Sequence, residues 1–152
     1  MKYSFKSLNK NIEKLTEIIE PNSIDIVISS HCIEHVKDDI SALNEIYKVL
    51  KKEGVVLINT PNRKRFVRSV IEFFTQERQF PYWEHQREYT EEDLIKLVSK
   101  TLFKDSEIQI NNLVFGLHGG YFFIYMKNCP KFLKNKANYL ELILLKNKGA
   151  KI

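Results

Sequence analysis

Glycine is scarce in this chain and missing from its first third: of five glycines, the first is Gly54. Nucleotide cofactors in open α/β folds sit over a strand, a glycine turn and a helix N-terminus, because only glycine lets the backbone approach the ligand closely. Residues 1–53 cannot build such a turn from their own sequence. Cysteine is rarer still. Cys32 and Cys129 lie far apart and form no C-x-x-C pair, which leaves neither a disulfide framework nor a cysteine zinc cluster and makes a reducing cytoplasm the expected location. No stretch reaches the roughly 18 apolar residues that cross a bilayer, and the N-terminal MKYSFKSLNKNIEKL has no apolar signal-peptide core. Neither a signal peptide nor a membrane span is expected.

What is present suits one globular domain: 152 residues, 43% hydrophobic and 28% charged. The net charge of +5 comes from lysines spread along the chain and interrupted by acids, a pattern that argues against a nucleic-acid partner. From Lys127 onward seven lysines face one acid, Glu141. A solvated surface accounts for that run better than a membrane or polyanion contact.

Ile12, Leu15, Ile18 and Ile19 recur at helical spacing and predict a short amphipathic helix over 9–20, ended by Pro21 and Asn22. Ile24–Ile28 is a β-branched run, apolar on both faces, which places it inside a parallel sheet. Asp38 or Asp39 caps a helix with Ile40, Leu43, Ile46, Tyr47 and Leu50 on its core face and lysines at its end, stopped by Gly54. Val55–Thr60 is a second buried strand broken by Pro61 and Asn62, completing a strand-helix-strand crossover.

Residues 63–84 are basic and aromatic, with Phe66, Val70, Phe73 and Phe74 at helical spacing before Phe80, Pro81, Tyr82 and Trp83. Such a stripe is core packing or a lid. Thr90 and Asp93 make a shortened capping box for a helix through Leu94, Ile95, Leu97 and Val98. Ile108–Phe115 and Tyr121–Met126 read as an antiparallel hairpin around Gly116, Gly119 and Gly120. Pro130–Lys148 reads as a helix with Leu133, Ala137, Leu140 and Leu144 on its apolar side. The expected division is an N-terminal segment 1–22, a central domain 23–127 with a lid-like insertion at 63–89, and a basic C-terminal helix or tail at 128–152.

His31-Cys32-Ile33-Glu34-His35 matches H-x-x-E-H, in which two histidines on one helix face ligate zinc and the glutamate acts as base. The setting is wrong for a zinc hydrolase, since the pentad follows a buried strand instead of lying inside a helix. The same residues fit another context. Ile24–Ser30 through Ile33-Glu34-His35-Val36, then Ala42–Ile46 with Val49-Leu50-Lys51, then Gly54–Ile58 and Thr60-Pro61-Asn62, resembles class I S-adenosylmethionine-dependent methyltransferases of the type 11 or type 23 subgroup. His85–Thr90 with Glu92 and Leu94 is similar to that family's later helix start. The resemblance covers roughly 23–126.

The resemblance implies an α/β fold: a truncated Rossmann-like methyltransferase sheet with strands equivalent to 4-5-7-6, the final strand in sequence antiparallel, and flanking helices. It implies Ser29, Ser30 and His31 against the cofactor S-adenosylmethionine, His35 and His85 as catalytic groups, and Glu34, Asn62, Tyr82 and Trp83 against an acceptor. Plainer roles stay open: a helix-start carboxylate for Glu34, a packed imidazole for His35 and a surface-loop imidazole for His85. Some O-methyltransferases of the family ligate a divalent metal with E-x-x-E-H; His31 replaces the first acid here, and no metal is assigned.

The family's glycine loop and ribose-holding acid do not precede Ile24, so the chain alone is expected to bind cofactor weakly. The partner expected is a complementary N-terminal half or a second copy paired through strand 24–28, whose apolar edge would otherwise be open; its own Lys2–Phe5 could also pair there. The acceptor is a small molecule, sugar or lipid. The competing reading is a non-catalytic interaction module or remnant that uses the same edge.

Overall fold

Four strands in the order β1-β2-β4-β3 form one mixed sheet. The computed structural model describes residues 11–65, 68, 72–74, 85–113 and 139–147. β1 (Ile24–Ser30) runs parallel to β2 (Leu50–Pro61), and β4 (Tyr139–Leu145) lies antiparallel between β2 and β3 (Glu107–Leu113). The fold is α/β, and its strand order is the expected 4-5-7-6.

The strand in the third place is not the expected one. The sequence spacing predicts a helix through Tyr139–Leu145, but every second residue is buried, so the two-residue period of a strand governs it. Leu140, Leu142 and Leu144 stand opposite Thr60, Ile58 and Val56 of β2, and all six are essentially inaccessible. Full burial of each such leucine contributes about 1.5–3 kcal/mol. This part of the 128–152 segment therefore belongs to the sheet. Tyr121–Met126, the other half of the expected hairpin, lies outside the described residues.

α1 (Asp39–Val49) crosses between the parallel strands, capped by Asp38, whose Oδ1 accepts the Ser41 N–H at 2.9 Å. Its buried Ala42, Leu43, Ile46 and Tyr47 join one core with Ile33, Phe103, and Leu94 and Val98 of α2 (Glu91–Val98). α2 opens on the capping box anticipated at Thr90 and Asp93. α1 ends at Val49, before Gly54, because β2 begins at Leu50 and the ladder shifts between Ile24 and Ile26. Gly54 shapes that irregularity: a Cβ on it would lie 2.6 Å from Leu50 Cγ and 2.9 Å from the Lys51 main-chain oxygen.

The N-terminal helix is a 3-10 helix, Ile12–Glu17, with Lys14 outside helical geometry. Glu45 of α1 holds it, its Oε2 accepting the Thr16 N–H at 2.8 Å and hydroxyl at 2.5 Å. Among the described residues β1 is an edge strand. Ile26 is 59% and Ile28 75% exposed, so the interior position first inferred for Ile24–Ile28 holds for one face only. No described helix is long and apolar enough to cross a membrane.

Candidate functional site

The carboxyl ends of the parallel strands β1 and β2 lie side by side, with Ser30 paired to Asn59. In open α/β sheets this end is where ligands bind. β1 runs into the turn His31–His35, entered through His31 in the left-handed region at φ 50° and tied by the His31 N–H to the Asn59 carbonyl at 2.9 Å. The pentad is thus a turn, and the helix face needed by the H-x-x-E-H zinc arrangement is absent from it.

Residues 85–90 strap this turn down. The Glu34 carbonyl accepts N–H groups from Gln86 at 2.9 Å and Arg87 at 3.3 Å. Arg87 also reaches the Lys37 carbonyl at 2.6 Å and pairs with Asp39 at 2.7 Å, while the Tyr89 hydroxyl donates to Asp39 Oδ2 at 2.9 Å. Burial first, then the Asp39 charge beside it, pushes the Tyr89 phenol far above its ordinary range. Asn62 bridges Tyr89 in parallel just past β2. Fifty residues of sequence separation vanish here: the His35 and His85 rings meet edge to face, with centroids 4.7 Å apart.

Glu34 lies beneath them, fully buried. Its Oε2 accepts the Thr60 hydroxyl at 3.1 Å. Its Oε1 sits 3.3 Å from His31 Nδ1 but accepts no hydrogen bond among the described residues. Burial pushes this carboxyl upward, but the His31 imidazole, the local backbone and the Thr60 hydroxyl outweigh it and hold it below the ordinary carboxylate range. His31 in turn stacks edge to face on Tyr139 of β4, 5.1 Å between centroids. One ligand atom from each of Glu34, His35 and His85 falls within 4.8 Å of the others, a carboxylate and two imidazoles that fit a divalent cation.

His85 is itself held. Its Nδ1 lies 3.3 Å from Oε1 of Glu88, a fully buried carboxylate. Arg65 forks onto both Glu88 oxygens at 2.9 and 3.0 Å, and Arg68 contacts Oε2. Burial raises the Glu88 carboxyl, but the two guanidiniums prevail and keep it below its ordinary value and ionised.

Of the residues named from sequence, the fold gathers His31, Glu34, His35, His85 and the buried Asn62 at one end of the sheet. Ser29 is buried on β1 with its hydroxyl unpaired among the described residues, and Ser30 is exposed beside it. Tyr82 and Trp83 lie outside the described residues. Thr60, Glu88, Arg65 and Arg68 were not singled out. The only sequence signal for Glu88 is its place in His85-Gln86-Arg87-Glu88-Tyr89-Thr90, and nothing local distinguishes Arg65 and Arg68 from their basic surroundings.

Comparison with known proteins bears on this geometry. Residues 2–58 match the type 11 methyltransferase-domain family. A probable S-adenosylmethionine-dependent methyltransferase of Mycolicibacterium smegmatis is 40% identical over 53 residues, 34% of this chain and 21% of that protein. The fold is similar to a methyltransferase of Thermotoga maritima described as a possible histamine N-methyltransferase: TM-score 0.70, 19% identity, 92% of this chain and 63% of that one. An Archaeoglobus fulgidus methyltransferase gives 0.61, with 14% identity, 91% of this chain and 66% of that one. The chain thus spans about a fifth of the curated relative and under two thirds of these solved structures.

Proposed function

We propose that this chain, with its methyltransferase-domain sequence and S-adenosylmethionine-dependent methyltransferase fold, supplies the acceptor side of a methyl-transfer site. The observation that carries the reading is the meeting of His35 and His85 over buried Glu34 at the carboxyl ends of β1 and β2. When bound, S-adenosylmethionine supplies the electrophilic methyl group. The chain's residues orient the acceptor and take its proton: His85 is the base, aligned through Nδ1 by Glu88, and His35 shares the contact. Glu34 and Asn62 hydrogen-bond a polar acceptor, either a small molecule, a sugar or a lipid headgroup. Transfer then depends mainly on holding the nucleophile in line with the methyl carbon.

The fit to the cofactor is one-sided. Ser29, Ser30 and His31 line the end of β1, and the unpaired, buried Ser29 hydroxyl is suited to a polar ligand. No glycine stands before Gly54 to let the backbone approach a nucleoside. The glycine cradle is therefore assigned to sequence beyond these residues, on this polypeptide or another, and pairing through the β1 edge is its natural attachment. No step is routed through a cofactor held by this chain alone.

The test is calorimetric titration of the purified chain with S-adenosylhomocysteine, alone and with a segment carrying a strand, glycine turn and helix. Binding only with the segment is the expected result. The second reading is a non-catalytic module that binds a partner through β1, favoured by the exposure of Ile26 and Ile28. No binding under either condition, with a partner still captured along β1, would replace the first reading by this one.

A further inference from the structure

Residues 85–90 carry no helix or ladder of their own, only the isolated bridge from Tyr89 to Asn62. Their main-chain ties run from Gln86 and Arg87 to the Glu34 carbonyl, and from the Arg63 N–H to the Tyr89 carbonyl. Main-chain groups are the same at every position, so these bonds do not select which residue of the strap stands where. The side chains do. Arg87 and Tyr89 go to Asp39 of α1, whereas Glu88, between them in sequence, goes to Arg65 and Arg68. A slip of one residue in either direction would set Glu88 against Asp39 and offer the two guanidiniums Arg87 or Tyr89 in its place, an arrangement that like charges oppose. We propose that Asp39 is the positioning residue of the site: by taking Arg87 and Tyr89 together it fixes the register of the strap, and with it the place of His85 beside His35.

Asp39 is placed to hold both partners. Its Oδ2 receives the Arg87 guanidinium at 2.7 Å and the Tyr89 hydroxyl at 2.9 Å. The Asp39 side chain is 15% exposed and Tyr89 is buried, and charge-assisted bonds withdrawn from water are the strong ones. The acid stands in the first turn of α1, where the helix dipole favours negative charge. Because α1 packs Ala42, Leu43 and Ile46 into the core, the anchor moves only with the helix. Each partner has a further contact: Arg87 donates to the Lys37 carbonyl at 2.6 Å, and the Tyr89 hydroxyl lies 3.4 Å from the Ile33 carbonyl. The clamp therefore joins the strap to α1 and to the chain that carries Glu34 and His35 into it.

His85 stands two residues before Arg87 and inherits its position. In the register that Asp39 selects, the His85 ring meets His35 edge to face with centroids 4.7 Å apart, and its Nδ1 faces Glu88 at 3.3 Å. A slip of one residue carries an extended chain by roughly 3.3–3.6 Å. That is most of the distance between the two rings, so their contact would not survive it. Asp39 acts on His85 only through Arg87 and Tyr89.

This inference deepens the methyl-transfer reading and rests on it for the use to which His85 is put, but it is tested without cofactor or acceptor, so either can fail alone. The chain holds four histidines, and in the isotopically labelled full chain the nuclear Overhauser cross-peak between the His35 and His85 rings reports their contact. Asp39→Ala is expected to remove this cross-peak while that between His31 and Tyr139, whose rings meet at 5.1 Å, remains. Arg87→Met, at a side chain 32% exposed, removes the charged half of the clamp and should weaken the His35–His85 cross-peak; it decides the question if Asp39→Ala unfolds. Lys146→Met, which removes contacts at the other end of α1, controls for a merely structural effect and should lower stability with the cross-peak unchanged. A cross-peak of parental intensity in folded Asp39→Ala or in Arg87→Met, or its loss in folded Lys146→Met, would overturn the proposal.

Discussion

The ammonium of Lys146 donates to the main-chain oxygen of Leu50 at 2.7 Å, joining the residue after β4 to the start of β2. It also donates to the Tyr47 carbonyl at 2.8 Å and to Asn22 Oδ1 at 3.1 Å, and it lies 4.3 Å from the centroid of the Tyr47 ring. A lysine only 2% exposed thus meets carbonyls that the last turn of α1 leaves without helical partners. Lys146→Met keeps the length and removes the donors. The expected loss is about 1.5–3 kcal/mol, the range for hydrogen bonds to a charged group, read as a lower urea midpoint at unchanged slope.

Glu45 makes the protein sensitive to acid. Burial raises its carboxyl, but hydrogen bonds from Lys48 and Thr16 prevail and bring it to about 2 from an ordinary 4.5. The unfolded chain therefore takes up this proton at higher pH than the folded one. The stabilisation is complete above the ordinary value and is lost as pH falls toward 2. Urea unfolding across this window should show the parent losing stability more steeply than Glu45→Gln, which gives up the ionised pairing at every pH.

Gly54 tolerates no side chain at its present spacing. Gly54→Ala would set a methyl 2.6 Å from Leu50 Cγ and 2.9 Å from a main-chain oxygen, and relieving both contacts is expected to cost about 1–3 kcal/mol. Thermal melting is the direct check. An unchanged melting temperature would mean that the start of β2 yields more easily than its packing implies.

The β1 edge is expected to associate. Light scattering after size exclusion should give a mass that rises with concentration, and Ile28→Lys should suppress the rise, because edge charges oppose strand pairing. Ile28 is 75% exposed, so the substitution should alter folding stability by no more than about 0.5 kcal/mol. A parent chain that stays monomeric at every concentration would remove self-pairing as the use of this edge.

Local patterns revealed much of the scaffold. Asp38 before an apolar three-to-four spacing, and Thr90 three residues before Asp93, are signals written within a few residues, and both caps form. The β4 segment carries a helical signal because Leu140 and Leu144 satisfy a helical period as well as a strand period, and leucine itself favours helices. What decided it was the presence of β2 and β3 on either side, with open backbone groups to be paired. Leu142, ignored by the helical reading, is as buried as its two neighbours.

The chain's sequence by itself determined the strand-helix-strand unit from Ile24 to Pro61, the absence of glycine before Gly54 and the identity of the histidines and acids available for chemistry. These follow from periodicity, caps and residue type, all of which act over a few positions. Tertiary structure alone decided that His85 meets His35, that the Tyr89 hydroxyl reaches Asp39, and that Tyr139–Leu145 enters the sheet. Each joins segments dozens of residues apart. Contacts of that range depend on which backbone donors, buried charges and apolar faces remain unsatisfied once the local elements have formed, and no short stretch of sequence contains that information.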